Sequence, residues 1–275
     1  MGWKMSRAIV NVATGRYVKG QERLRKSFEA ELGFMWADVL PGSPTHEDRP
    51  YAFKAYALKN VADMRFSTLL WCDACIVPGA RPLSDLWDYI EENGVWLAKN
   101  GWSNYEWTAD SAYPALFSEE IECFMEPHMA NAIRDALEAA SGKTHEIVTK
   151  EEWINAARWV NKHIPHVVAT AFGISLKHPK GRAFLDEYYR LASETNAFCG
   201  PWINSNYGVD PMSAYQQPPR RMPCGPADVR GHRHDQTAAS VIAWRLGIPL
   251  TECPEWFSYR GGETEKTCLI ADGAY

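Results

Sequence analysis

The chain has 275 residues, 46% hydrophobic and 23% charged, with a formal net charge of -5. That balance suits a globular protein with a sizeable core and excludes a disordered chain, and the acidic excess argues against a broad nucleic-acid surface, Arg220 and Arg221 being a local exception. No run approaches the roughly 18 apolar residues of a membrane span. The amino terminus does not read as a signal peptide, so a cytoplasmic protein is expected, and the seven scattered cysteines fit reduced thiols rather than a disulfide framework.

Arg7 to Thr14 reads as a buried strand closed by Gly15. Leu24, Phe28 and Leu32 at four-residue spacing predict a helix that Gly33 ends, and Phe34 to Leu40 a second strand stopped by Pro41-Gly42. Pro50 pre-sets a helix whose apolar stripe is Phe53, Tyr56, Ala57 and Val61. Leu69 to Pro78 follows, a strand-like run holding one carboxylate, Asp73, which is costly there unless a cation or hydrogen-bond donors meet it. Leu83, Leu86, Trp87 and Ile90 stripe the next helix, Asn93-Gly94 stops it, and Val95 to Ala98 returns to the sheet. Strands alternating with helices predict an α/β layered architecture.

Met129, Ala132, Ile133, Ala136, Leu137 and Ala140 mark a helix, and Trp153, Ala156, Ala157 and Val160 another, with Thr149 and Glu152 as its capping box. His163 and His166 flank Pro165 in a turn where solvent-facing histidines are expected. Val167 to Leu176 has strand character, and Phe184, Leu185, Tyr188 and Leu191 form a helical stripe. Asn196 to His234 has no periodicity, yet its aromatics Phe198, Trp202, Tyr207 and Tyr215 predict an ordered, folded-over loop lining a site. Gly231 to Thr237 opens a last helix, with Asp235 as its N-cap and Ala238, Val241, Ile242 and Leu246 on one face.

Two constellations carry chemistry. Asp73 is either a turn cap at a strand end or a cation ligand at the carboxyl edge of a sheet. His232, His234 and Asp235 at a helix start suit an anion or a metal, which opens a zinc-hydrolase alternative, although the other histidines offer no second ligand-like cluster. Cys72 and Cys75 form a C-x-x-C inside the strand-like run with no second pair nearby, a weak zinc or redox pattern.

Pro50-Tyr51-Ala52-Phe53-Lys54, then Leu70-Trp71-Cys72-Asp73-Ala74-Cys75, then Gly231-His232-Arg233-His234-Asp235-Gln236-Thr237 resemble the signature stretches of GT-A-fold glycosyltransferases. The nearest group is the bacterial and phage glycosyltransferases with a Gly-His-Arg-His-Asp-Gln block, more distantly similar to glycosyltransferase family 8. The resemblance implies a single GT-A-like, Rossmann-related domain over 1–275, with a mixed central sheet flanked by helices. Its nucleotide-sugar half would span about 1–110, and a helical insertion with the acceptor and catalytic half about 111–275. It implies a hexosyl- or pentosyltransferase moving a sugar from a nucleotide-diphosphate donor to a hydroxyl of a glycan, a metabolite or a hydroxymethylated DNA base. Asn11, Val12, Ala13, Thr14, Arg16, Lys54, Asp73 and Ala74 would bind the donor, and Trp102, Trp107 and Asp110 the acceptor. Asp235 and Gln236 would stand at the anomeric carbon, favouring retention. Mn2+ or Mg2+ is expected on Asp73, with His232 or His234 completing its shell. The sequence departs from the family's Asp-x-Asp pair at Cys75, a poor ligand for hard cations. A catalytically silent carbohydrate- or nucleotide-binding module is the remaining alternative.

Overall fold

The computed structural model describes residues 6–31, 33–37, 40–117, 138, 150–208 and 217–273, leaving aside the side chains of 37 and 150–153. Leu32, the expected Met129 to Ala140 stripe, Thr149, the side chains of Glu152 and Trp153, and Tyr215 lie outside what is described. The described strands are β1 (Arg7–Ala13), β2 (Gly33–Ala37), β3 (Thr68–Cys72), β4 (Ile76–Pro78), β5 (Val95–Trp96), β6 (Ala98–Ser103), β7 (Pro165–Val167), β8 (Ala171–Ser175), β9 (Ile203–Asn204), β10 (Arg221–Met222), β11 (Thr251–Glu252), β12 (Phe257–Tyr259) and β13 (Leu269–Ala271). The helices are α1 (Val18–Ser27), α2 (Ala52–Asp63), α3 (Leu83–Asn93), α4 (Tyr113–Leu116), α5 (Lys150–Lys162), α6 (Pro179–Glu194) and α7 (His234–Arg245). The chain divides into two compact units. Unit 1 is Met1–Asn100, Val167–Tyr189 and Ile248–Tyr275, and unit 2 is Gly101–His166 and Arg190–Gly247.

Unit 1 is a mixed α/β layer structure. Its five-stranded sheet has the order β2-β1-β3-β8-β5, with β2, β1 and β3 parallel and β8 antiparallel to both β3 and β5. All five residues of β3 are buried, which is why its sequence reads as an unbroken apolar run rather than an alternating one. Ile9, Leu24, Leu70, Leu86, Trp87, Ile90 and Trp96 share one core, each contributing about 1.5–3 kcal/mol by leaving water. Gly173 lets α3 settle onto β8, since a Cβ there would fall 2.2 Å from Ile90 Cδ1. Gly94 ends α3 at φ +83 as expected, and a Cβ there would also meet the His178 ring.

Two expectations are corrected in this unit. The run Leu69 to Pro78 is not one strand. A two-sided buried strand has no room for an ionised side chain, so β3 ends one residue before Asp73. The Ile76 N–H bonds the Asp73 carbonyl at 3.0 Å, and β4 joins a separate sheet in the order β12-β13-β4. The inward face of α2 is Lys54, Ala55, Ala57, Leu58 and Val61, whereas Phe53 and Tyr56 are only half-buried.

In unit 2, the short 3-10 segment Asn104–Trp107 packs against α5 and α7. Helix α7 is buried along nearly its whole length, with no polar face. It begins at His234 with Arg233 as N-cap, so Asp235 lies in the first turn rather than at the cap, where its charge still complements the helix dipole. The aperiodic stretch is ordered where described: Phe198 is fully buried, and Asn204 Nδ2 donates to the Pro226 and Val229 carbonyls, both at 2.8 Å. Among the described residues no helix is long and apolar enough to cross a membrane.

Candidate functional site

Parallel β1 and β3 present their carboxyl ends at one edge of the unit 1 sheet, where open α/β sheets take ligands. Thr14, Gly15 and Arg16 are exposed there, Val12 is half-buried, and Ala13 and Ala74 are buried. Asn11 is fully buried. Its Nδ2 donates to the Cys72 carbonyl at 2.7 Å and its Oδ1 accepts from Gln21 at 2.7 Å, so its amide ties β1 to β3 and α1.

Asp73 sits at the same edge with its Oδ1 turned inward. Trp71 Nε1 donates to Oδ1 at 2.7 Å, and Lys54 Nζ lies 3.1 Å from it. The Lys54 side chain is 2% exposed, donates to the Ala169 carbonyl at 2.7 Å, and lies 5.1 and 5.4 Å from the ring centres of Tyr51 and Trp71. The Asp73 side chain is 30% exposed, and no described residue bonds its Oδ2. Lys54, expected among the donor-binding residues, is turned by burial onto Asp73 and the Ala169 carbonyl. The signal was present, since Lys54, Leu58 and Val61 fall at i, i+4 and i+7 on the face that α2 buries.

These residues do not fit a cation held by Asp73, His232 and His234. His232 Nε2 donates to the Ala197 carbonyl at 2.9 Å and its Nδ1 accepts the Ala109 N–H at 3.3 Å, which leaves no lone pair for a metal. His234 Nδ1 donates to the Phe198 carbonyl at 3.0 Å. Among the described residues no group of three or more His, Cys, Asp or Glu is placed to hold a metal. Cys72 and Cys75 are not joined in a disulfide, and burial pushes the Cys72 pKa up, away from the reactive thiolate.

Unit 2 holds a second polar centre, which sequence reasoning missed. His166 is fully buried rather than solvent-facing, with Nδ1 2.8 Å from Asn104 Oδ1 and Nε2 3.0 Å from the Gln236 carboxamide oxygen. Asn104 Nδ2 donates to Asn161 Oδ1 at 2.9 Å and to the Thr237 carbonyl at 3.3 Å, and Asn161 Nδ2 donates to Thr108 Oγ1 at 2.9 Å and Tyr113 Oη at 3.3 Å. A backbone carbonyl only accepts, so Asn104 must turn Oδ1 to His166, and His166 Nδ1 carries the proton. Burial lowers the His166 pKa to about 3, so Nε2 keeps only a lone pair. The contact is then satisfied when the Gln236 carboxamide turns its NH2 to the ring, a half-turn that exchanges two isosteric ends.

The expected catalytic pair differs in reach: Asp235 is 3% exposed, and Gln236 is half-buried. Of the expected acceptor residues, Asp110 is gripped by Arg158, whose Nε lies 3.0 Å from Oδ1 and whose Nη2 meets Oδ2. Trp107 has His166 stacked on it at 6.3 Å and Arg233 over its ring at 4.2 Å. Trp102, with Arg230 over its ring at 4.1 Å, is 40% exposed.

No family model matches the sequence, and no curated protein matches it. The chain is similar to the crystal structure of a glycosyltransferase involved in the glycosylation of the major capsid of PBCV-1, at 8% identity, 98% coverage of this chain and 95% of that one, and a TM-score of 0.45. It is also similar to the apo structure of the WbbM bifunctional glycosyltransferase, at 10% identity and a TM-score of 0.40, covering 98% of this chain and 46% of that one. Both likenesses are too distant to assign an activity.

Proposed function

We propose that the chain is a glycosyltransferase that takes a nucleotide-diphosphate sugar and transfers the sugar to a hydroxyl. The observation that carries this reading is Asp73, which ends β3 at the carboxyl edge of a parallel sheet with Oδ1 committed inward and Oδ2 left for a ligand. A carboxylate oxygen so presented suits a ribose or sugar hydroxyl. The neighbouring Thr14 to Arg16 turn is exposed, and Arg16 brings a positive charge suited to a diphosphate.

In unit 2, Gln236 and Asp235 are the residues this reading assigns to the sugar. With its NH2 on His166, Gln236 directs its carbonyl oxygen away from the ring, the polarity a developing oxocarbenium ion calls for. That assignment goes with retention of configuration. Trp102, 40% exposed beside Arg230, is the aromatic residue this reading assigns to an acceptor sugar. The commitment of both ring nitrogens of His232 to backbone groups counts against the zinc-hydrolase reading, and the net charge of -5 counts against a DNA acceptor.

The test is turnover of a panel of nucleotide-diphosphate sugars, followed as release of nucleoside diphosphate with and without simple hydroxyl acceptors. Release that falls about tenfold or more in both Asp73→Ala and Gln236→Ala supports the reading. Absence of binding or turnover for every donor overturns it.

A further inference from the structure

We propose that Lys54 holds, beside Asp73, the place that a divalent cation takes in a carboxylate metal site, so that unit 1 binds its ligand without a metal and offers Asp73 Oδ2 to a ligand hydroxyl. The inference rests on the proposed function for the class of ligand, but not for the exclusion of the cation.

Four observations converge on it. The Lys54 ammonium lies 3.1 Å from Oδ1, so the carboxylate charge is already neutralised and a second cation at this side chain would be repelled. Oδ1 has two donors, Lys54 and Trp71, which exhausts the lone pairs a metal would need there. The residue where a second hard ligand belongs is Cys75. Finally, the lysine is held by a built cage. Tyr51, at the start of α2, is in the left-handed region at φ +61, which a tyrosine rarely adopts, and its ring lies 5.1 Å from Nζ. The Ala169 carbonyl and the Trp71 ring complete the cage, and with 2% exposure Nζ cannot turn outward to a phosphate. The Asp73 side chain is 30% exposed, and among the described residues none bonds its second oxygen.

The decisive measurement is Mn2+ binding without nucleotide, read from the EPR signal of free Mn2+, for the wild type, Asp73→Asn, Lys54→Met and Lys54→Gln. The expected result is superimposable curves for the wild type and Asp73→Asn, with a gain of about tenfold or more in affinity when either Lys54 variant removes the positive charge. A wild-type Mn2+ site that Asp73→Asn abolishes overturns the inference, and so do folded Lys54 variants whose curves stay on that of the wild type. If neither Lys54 variant folds, the comparison of the wild type with Asp73→Asn still decides. Titration of UDP, GDP and ADP in EDTA separates the two readings. Binding that persists in EDTA and weakens in Asp73→Asn supports both. Binding that requires Mn2+ and Asp73 overturns the metal-free site alone. Binding of none of them, with or without Mn2+, overturns the proposed function, while the Mn2+ curves still decide this inference.

Discussion

In unit 1 a buried ammonium meets one carboxylate, whereas in unit 2 His166, Asn104, Asn161, Thr108 and Tyr113 meet one another as neutral groups. The two centres divide their hydrogen-bonding capacity differently. The ion pair satisfies its buried partner and leaves one oxygen of the other at the surface, so it retains capacity for a ligand. The neutral network spends its donors and acceptors internally, and its output is the orientation of a single carboxamide, that of Gln236. Charge at a sheet edge thus leaves bonding capacity outward, whereas a closed neutral network turns its capacity inward.

Acid is the strongest way to break that contrast. His166 and His232 are neutral in the folded chain, with pKa values lowered by burial to about 3 and about 4, whereas an unfolded histidine takes up a proton near 6.5. Below pH 6.5 the unfolded chain therefore binds more protons, and stability falls as the pH falls. The expected slope is about 3 kcal/mol per pH unit between about pH 6.5 and 4, and about half that down to about pH 3. Urea unfolding across this range measures it, and His232→Asn should halve the upper slope. A stability flat from pH 6.5 to 4.5 would mean that the histidines are not held neutral.

Next in size is the asymmetry of the ion pair. Asp73→Leu leaves Lys54 buried without its anion and should cost about 3 kcal/mol or more, whereas Lys54→Met leaves a carboxylate that can rehydrate and should cost about 1–2 kcal/mol. Equal losses in urea midpoints would contradict the partition between a buried and an exposed partner. The neutral network is tested by a substitution of comparable size. Asn161→Leu removes the acceptor for Asn104 and the donor to Thr108 and Tyr113, at a cost of about 1–3 kcal/mol. In that variant, 15N NMR of His166 should show the loss of a single pinned tautomer. An unchanged Nδ1–H signal would mean that the Thr237 carbonyl alone fixes Asn104.

Much of the unit 1 fold was legible because its signals are local. The β1 run, the α3 stripe and the stop at Gly94 each depend on neighbours within a few residues. Asp73 stood out for the reason the structure supports: a carboxylate in an apolar run needs a partner. That partner was legible too, through the i, i+4, i+7 spacing of Lys54, Leu58 and Val61, but the larger aromatics Phe53 and Tyr56 dominated the apolar pattern. The burial of His166 had no local signal, because its partners lie 62 and 70 residues away in sequence. Asn11 and Asp110 illustrate the same limit. Both residue types invite ligand roles, and their true partners, Gln21 with the Cys72 carbonyl and Arg158, become visible only once the chain has folded.

The strand order β2-β1-β3-β8-β5 also has a consequence for the chain as it leaves the ribosome. β3 and β5 are both made long before β8, the strand that separates them in the finished sheet. Until residues 171–175 emerge, the nascent chain carries β3 with one edge unpaired and its apolar side chains uncovered. Vectorial synthesis therefore exposes an adhesive strand for about the time needed to add a hundred residues, several seconds at ordinary elongation rates, and the N-terminal unit can close only after the chain has left it and returned.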